Sequence, residues 1–317
     1  MRQIWWNGKI LPESEARISI YDSSFMFGDT VFEMTRSFNK VHFKLREHLE
    51  RLMKSARYVR IPVPYTIEEL EDACHKITEI NKPEFAYDDE YRLMIDVTRG
   101  LLPRYESVGS LGTNVIISIF PLRWATKGLG KYFDTGINCV IPSQRQIPAQ
   151  HLDPKIKHRS RLHFRMALNE TDWPILLDSD GFITEGPGYN FFIVKDDILI
   201  TPEPRNILRG ISRNFAIELW QKYPINGEVK ESNIEPYDVY EADEIFITAT
   251  PFCMLPVTSL NGMPIGGKFV GKRFNDLLLE WSIRVFPATS YSDIKQQIQQ
   301  WDERIGVPEY RTFLPLQ

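Results

Sequence analysis

The chain has 317 residues, 43% of them apolar and 25% charged, with a formal net charge of -4. That length predicts two domains or one large one, and the acidic balance argues against a general nucleic-acid binder, which needs a basic surplus to neutralise phosphates. Cys74, Cys139 and Cys253 are far apart with no CxxC pair, no apolar run approaches a membrane span, and the opening MRQIWWNGKI lacks a secretory stretch; the expectation is a cytoplasmic protein without disulfide framework, zinc site or membrane anchor.

The first hundred-odd residues mix strands and helices. Residues 4–7 and 9–11 read as a hairpin about Gly8, and 31–38 with 41–45 as a second one turning at Asn39-Lys40. From Glu47 the period changes, with Leu49, Leu52, Met53, Ala56 and Val59 on one helical face. A second helix over 66–80 opens with a threonine cap and early glutamates, and strands follow at 91–97 and 114–120. PLRWATKGLGKYFDTG at 121–136 has two close glycines and no period, which reads as a linker between a small N-terminal domain (1–120) and a large C-terminal one (137–289). The second part predicts a strand at 137–141, a helix beginning near Lys157, strands at 173–177 and 190–195, and a helix after Gly210 carrying Ile211, Phe215, Leu219 and Trp220. A strand at 244–249 and a long helix around 269–285 follow, and the tail (290–317) holds a polar helix, DIKQQIQQWDERI. There is no internal repeat, and the order suggests α+β rather than regular βαβ alternation.

Five features could carry chemistry. DPKIKHRSRL at 153–162 packs lysines, arginines and a histidine together: a solvated face, a nucleic-acid patch, or the surroundings of one reactive lysine. Gly210-Ile211-Ser212 enters a helix, where unpaired backbone N–H groups and the positive dipole end can hold an anion, or where a glycine simply starts a surface helix. Thr248-Ala249-Thr250 ends a strand with hydroxyl donors suited to phosphate. Glu185 lies in the turn TEGPGYN; a carboxylate held there can keep a ring nitrogen protonated, though glycine and proline explain the turn without it. Arg51 sits off the apolar stripe of its helix, a solvated arginine by default, and His48 in the same helix reads as structural.

A lysine, a turn glutamate, a helix-start anion site and a distant arginine are together the parts that hold pyridoxal phosphate. Their order resembles the class IV, or fold type IV, aminotransferases, over about residues 4–285. FGDTVFEMTR at 27–36, FKLREHLERLMKSA at 43–56, KIKHRSRL, DGFITEGPGYNFFIV, ILRGISR and DEIFITATPFCMLPV with NGMPIGG are similar to successive family motifs. The resemblance implies a two-domain α+β fold of the D-amino acid aminotransferase type. It implies Lys157 as the Schiff-base lysine, with Lys155 a poorer match, and Glu185 as partner of the pyridine nitrogen. Arg51, the Ile211 and Ser212 amides and Thr250 become phosphate ligands, and Phe32 and Arg104 substrate contacts. It also implies a homodimer whose active site is completed across the interface.

The activity so implied is amino-group transfer between an amino acid and a 2-oxo acid such as 2-oxoglutarate or pyruvate, with Lys157 as proton carrier. The Phe32-Glu33 pair and the closing strand resemble branched-chain aminotransferases. VTRGLLPR resembles D-amino acid aminotransferases, with Arg104 on the substrate carboxylate and Glu106 where that subgroup has histidine. SEARISIYD and TEGPGYN resemble (R)-selective amine transaminases, from which Gly28 and Glu33 depart. Arg161, Pro187 and Pro251 depart from the commoner patterns. A same-fold aminodeoxychorismate lyase and a cofactor-free binding homologue are the alternatives from other classes.

Overall fold

The computed structural model describes residues 1–222, 225, 227–266, 270–286 and 293–304. The chain opens with the hairpin β1 (Gln3–Trp6) and β2 (Lys9–Pro12). Asn7 and Gly8 both take positive φ (47° and 87°), as a tight two-residue hairpin turn demands. A short helix α1 (Ser23–Phe27), capped by Asp22, leads into β3 (Thr30–Phe38) and β4 (Val41–His42). The second hairpin strand stops at His42 rather than Leu45, because Lys44 (φ 49°) turns the chain into α2 (Leu45–Tyr58). Helix α3 (Ile67–Asn81) begins with a reciprocal Thr66–Glu69 capping box, as the sequence predicted. Strands β5 (Tyr91–Thr98) and β6 (Asn114–Pro121) complete an antiparallel sheet in the order β2-β1-β6-β5-β3-β4. Leu49 and Leu52 of α2 and Leu70 and Ile77 of α3 bury against Leu93, Ile95, Ile117 and Ile119 on one face of this sheet.

Residues 121–136 are not bare linker: they fold into α4 (Arg123–Thr126) and α5 (Tyr132–Thr135). Then come β7 (Ile137–Cys139) and α6 (Leu162–Glu170), whose start lies five residues past the expected point at Lys157. A helix begun at Lys157 would stack Lys157 and Arg161 one turn apart, two like charges on one face. Residues 157–159 instead run beside β3: the Phe32 N–H donates to the Lys157 carbonyl (2.9 Å) and the Arg159 N–H to the Thr30 carbonyl (2.9 Å). The strand expected at 173–177 is only isolated bridges at Pro174 and Leu177, since proline cannot donate to a ladder.

The second sheet consists of β8 (Glu185–Gly186), β9 (Tyr189–Lys195), β10 (Ile198–Pro202), β11 (Val229–Ser232), β12 (Glu244–Ala249), β13 (Cys253–Leu260), β14 (Met263–Pro264) and β7. Its main path is β11-β10-β9-β12-β13-β14, with β7 on β13 and β8 on β9; β10 and β11 were not anticipated. Between them run α7 (Ile211–Lys222) and α8 (Pro236–Tyr240), and after them α9 (Lys272–Val285). The predicted start of the last long helix, Phe269, lies outside the described residues. Phe215 of α7 meets Trp281 of α9 edge-on at 5.0 Å and also Phe43 at 5.2 Å, tying this half to the first. The tail helix α10 (Ile294–Arg304) is polar on one side only. Ile294, Ile298 and Trp301 are buried, and Asp302 accepts the Gly128 and Gly130 amides (2.7 Å each).

Strand β3 serves both halves. Its period of two turns Val31 and Glu33 toward α2, and Phe32, Arg36 and Phe38 toward the second sheet. Arg36 is fully buried there, donating to Gln297 Oε1 (2.7 Å) and the Pro251 carbonyl (3.0 Å) with its guanidinium over Phe38 (3.9 Å).

Candidate active site

Where the two halves meet, one pocket gathers most of the residues singled out in the sequence. Lys157, Glu185, Phe32 and Arg51 line it, as do Ile211, Ser212 and Thr250. Arg104 does not. It is exposed on the turn 103–108, its guanidinium 5.1 Å from the Tyr105 ring, which in turn lies tilted against Tyr21.

Lys157 is half-buried, and its backbone is pinned on two sides. Besides the bond to β3, its N–H donates to Ser55 Oγ on α2 (3.2 Å). Its amine lies 4.7 Å from the Phe32 ring. Burial, and then the Arg51 and Arg161 cations, bring its pKa down to about 7 against the opposing pull of Glu33 and Glu185. An amine in that condition is partly neutral at neutral pH and so nucleophilic. Lys155 is engaged elsewhere, with Asp153 (2.8 Å) and the Arg205 carbonyl (3.2 Å).

Glu185 opens β8 and is buried. Its carboxylate accepts from Gln146 Nε2 (3.1 Å), Asn190 Nδ2 (3.2 Å) and the Leu208 N–H (3.0 Å). Burial still raises its pKa to about 7, with the Leu208 amide and the Lys157 and Arg161 charges pulling the other way. A cation placed beside it would restore the ionised form.

A corner of the pocket that could hold an anion is built from three elements. Helix α7 presents the amides of its first turn. Gly210 precedes it because a Cβ there would meet Asn190 Oδ1 at 2.1 Å. Ser212 Oγ and Thr250 Oγ1 lie 3.4 Å apart, and Thr248 Oγ1, also at the pocket, is buried without a hydrogen-bond partner among the described residues. Arg51 reaches across from α2 and donates to the Arg209 carbonyl (2.9 Å). It is aimed by Glu33, which also takes His48 Nδ1 at 2.7 Å. Burial alone would raise the Glu33 pKa, but Arg51 and His48 together hold it far below the usual carboxylate range.

Glu33 is thus a partner that the sequence reading did not assign. Period-two alternation along β3, with Arg51 and His48 three apart on the facing helix, could have pointed to it. Gln146 and the Leu208 amide had no such signal. Arg161 was noted only as a departure from pattern, and it lines the pocket. Among the described residues no group of His, Cys, Asp and Glu could hold a metal ion, and no helix is long and apolar enough to cross a membrane.

A half-buried lysine, a turn glutamate and the start of a helix at one pocket suit an enzyme of amino-group chemistry, and comparison with known proteins agrees. The model of the amino-transferase class IV family matches residues 30–260. The branched-chain-amino-acid aminotransferase of Escherichia coli is 31% identical over 274 residues, covering 83% of this chain and 86% of its own. The D-alanine aminotransferase of Bacillus licheniformis is 30% identical over 270 residues, covering 83% and 90%. In three dimensions, the crystal structure of the E. coli branched-chain enzyme superposes with a TM-score of 0.78 at 28% identity, over 87% of this chain and 92% of that one. The chain belongs to the class IV aminotransferases, with their two-domain α+β fold of type IV. It is a pyridoxal-phosphate-dependent transaminase acting on amino acids and 2-oxo acids.

Proposed function

We propose that Lys157 bears the cofactor and carries the proton, that Glu185 faces the ring nitrogen, and that the Ile211 and Ser212 amides, Thr250 and Arg51 hold the phosphate. The residues fit such a group: the α7 amides and the unpartnered Thr248 hydroxyl offer donors to an anion, and the raised pKa of Glu185 suits a cationic N–H partner. When bound, pyridoxal phosphate supplies an electron sink for bond changes at the substrate's α-carbon. A Lys157 amine with pKa about 7 can both take and return a proton at neutral pH. The observation that carries this reading is that Lys157 and Glu185, both shifted to about 7, share one pocket with the start of α7.

The names of the relatives point to branched-chain or D-amino acids as the amino donor, with 2-oxoglutarate or pyruvate as acceptor. Phe32 would supply an apolar wall to the substrate. A panel of L-amino acids, D-amino acids and (R)-amines against both acceptors tests this; transfer from amines alone would overturn it. Pyruvate release without an acceptor would favour the lyase instead.

We also propose a cytoplasmic homodimer, with the two domains divided at 121–136. Phe25 and Leu162 are each 73% exposed, and Ile20 and Phe27 are exposed too. They form one neighbourhood, since Gly28 approaches the Ser160 backbone, and the Tyr21–Tyr105 contact joins it to the Arg104 turn. A second copy covering this surface would seat Arg104 at the mouth of its partner's pocket. The three buried, free cysteines suit a reducing compartment.

A further inference from the structure

We infer that Arg161 is the residue of the inner pocket that binds the substrate's α-carboxylate. The inference rests on the reading of Lys157 and Glu185 above and deepens it. Lys157 handles the amino end of the substrate; the carboxylate is on the next atom, so it needs a cation close to Lys157 and not already engaged. The arginines around the pocket differ in this respect. Arg51 is held by Glu33, and Arg159, just outside, pairs with Asp96 (2.8 Å). Arg161 lines the pocket, and among the described residues its side chain has neither an ion pair nor a hydrogen bond.

Its surroundings fix it without satisfying it. Arg161 is the residue just before α6, its N–H bonded to the Arg159 carbonyl (2.8 Å) and its carbonyl to the Arg165 N–H (3.2 Å), so the root of the side chain is set. The guanidinium lies 5.1 Å from the Phe164 ring and 5.9 Å from the Phe32 ring. The same Phe32 ring has Lys157 Nζ at 4.7 Å and the Asp96-paired Arg159 at 3.8 Å, so three cations surround one aromatic ring and Arg161 is the one of the two arginines left without an anion. Aromatic faces steady a guanidinium while leaving its N–H edge free for a planar, two-oxygen partner. A Cβ added to Gly188, across the pocket, would stand 3.8 Å from Nη2. Burial works against the charge of Arg161, the distant Glu185 carboxylate eases it and Arg159 adds to the strain. His158 and His163 nearby have lowered pKa values, mainly through burial, so they bring no competing anion and little added positive charge. A desolvated cation without a partner is costly, and a bound carboxylate removes that cost.

The test uses the cofactor-loaded enzyme. Arg161→Gln should raise KM for the amino acid and 2-oxo acid by about thirty-fold or more, the loss expected for one partner of a desolvated charge pair at tenfold per ~1.4 kcal/mol. Turnover of an amine without a carboxylate should stay within about twofold, as should cofactor affinity. Independently of turnover, calorimetry should show 4-methylpentanoate binding lost in the variant, with 4-methylpentanamide, its uncharged counterpart, bound equally by both. Arg161→Lys, which keeps the charge but loses the fork, should recover part of the loss and controls for misfolding. Equal losses for amine and amino acid, a fall in cofactor affinity, or unchanged 4-methylpentanoate binding would each overturn the assignment. Failure of the underlying reading has a different signature: wild-type protein that takes up no cofactor, or retains it on a residue other than Lys157.

Discussion

Arg51 meets Glu33 edge to edge, Nε to Oε1 at 2.5 Å and Nη2 to Oε2 at 2.9 Å, with the carboxylate wholly buried between β3 and α2. Glu33 therefore decides where Arg51 points. Glu33→Gln should cost on the order of 3–5 kcal/mol of stability, since it leaves a largely buried guanidinium without its counter-charge. It should also weaken cofactor retention, which equilibrium dialysis would read. The sign with pH follows from the depressed pKa of Glu33: its stabilisation is complete above the ordinary carboxylate range and fades only as pH falls toward its folded-state value, deep in acid. Denaturation curves of wild type and variant should converge only there.

Lys157→Ala should abolish covalent retention of the cofactor and reduce transfer to background. Borohydride reduction and peptide mapping of the wild type should find the cofactor on Lys157. Capture on Lys155, which is bound to Asp153 and the Arg205 carbonyl, would contradict the assignment.

Glu185→Gln should keep the cofactor bound yet slow transfer on the order of a hundredfold, because a neutral side chain cannot hold a ring nitrogen protonated. Near-normal kcat in this variant would remove Glu185 from its role.

The same two residues predict a pH profile for the cofactor-free protein. Glu185 has its pKa raised to about 7, so between the ordinary carboxylate value and 7 the folded state binds the extra proton, and stability falls as pH rises. Lys157 has its pKa lowered to about 7, so above 7 the unfolded state binds the extra proton, and stability rises with pH up to the ordinary lysine range. Their joint contribution is least favourable near neutrality. Glu185→Gln should flatten the limb below 7 and Lys157→Ala the limb above it, in urea titrations at fixed ionic strength.

Leu162→Asp should turn a dimer into monomers, visible by light scattering. Arg104→Ala should leave the dimer intact and impair amino acids more than amines. Monomeric wild type would end the case for a shared active site.

Much of this was legible in the sequence because local rules and global fold agree. The hairpin at Gly8, the capped α3 and the strand β12 come directly from alternation, capping and turn chemistry. The residues expected to hold the cofactor line one pocket: Glu185, Ile211, Ser212 and Thr250 sit at or beside the ends of elements, whereas Arg51 sits in the middle of α2 and Lys157 in an extended run. Where reading failed, non-local pairing decided. Residues 157–159 are extended because β3 offers them partners. Pro174 breaks a run whose composition suggested a strand. The start of α10 is buried because Arg36, more than 250 residues earlier in the chain, needs Gln297. Arg104 shows the limit most plainly, since its motif gave no sign that the folded chain would hold it outside its own pocket.

The double allegiance of β3 makes it intolerant of a change in length. Deleting one residue near Thr30 would slide every following side chain onto the opposite face. The Met34 side chain would then face Arg51, and the Glu33 carboxylate would take the place of Phe32 beside the pocket. The pocket around Lys157 and both cores would fail together, although none of the residues proposed to hold the cofactor had been altered. Evolution can retune the walls of this pocket by substitution, but along these nine residues it must keep count.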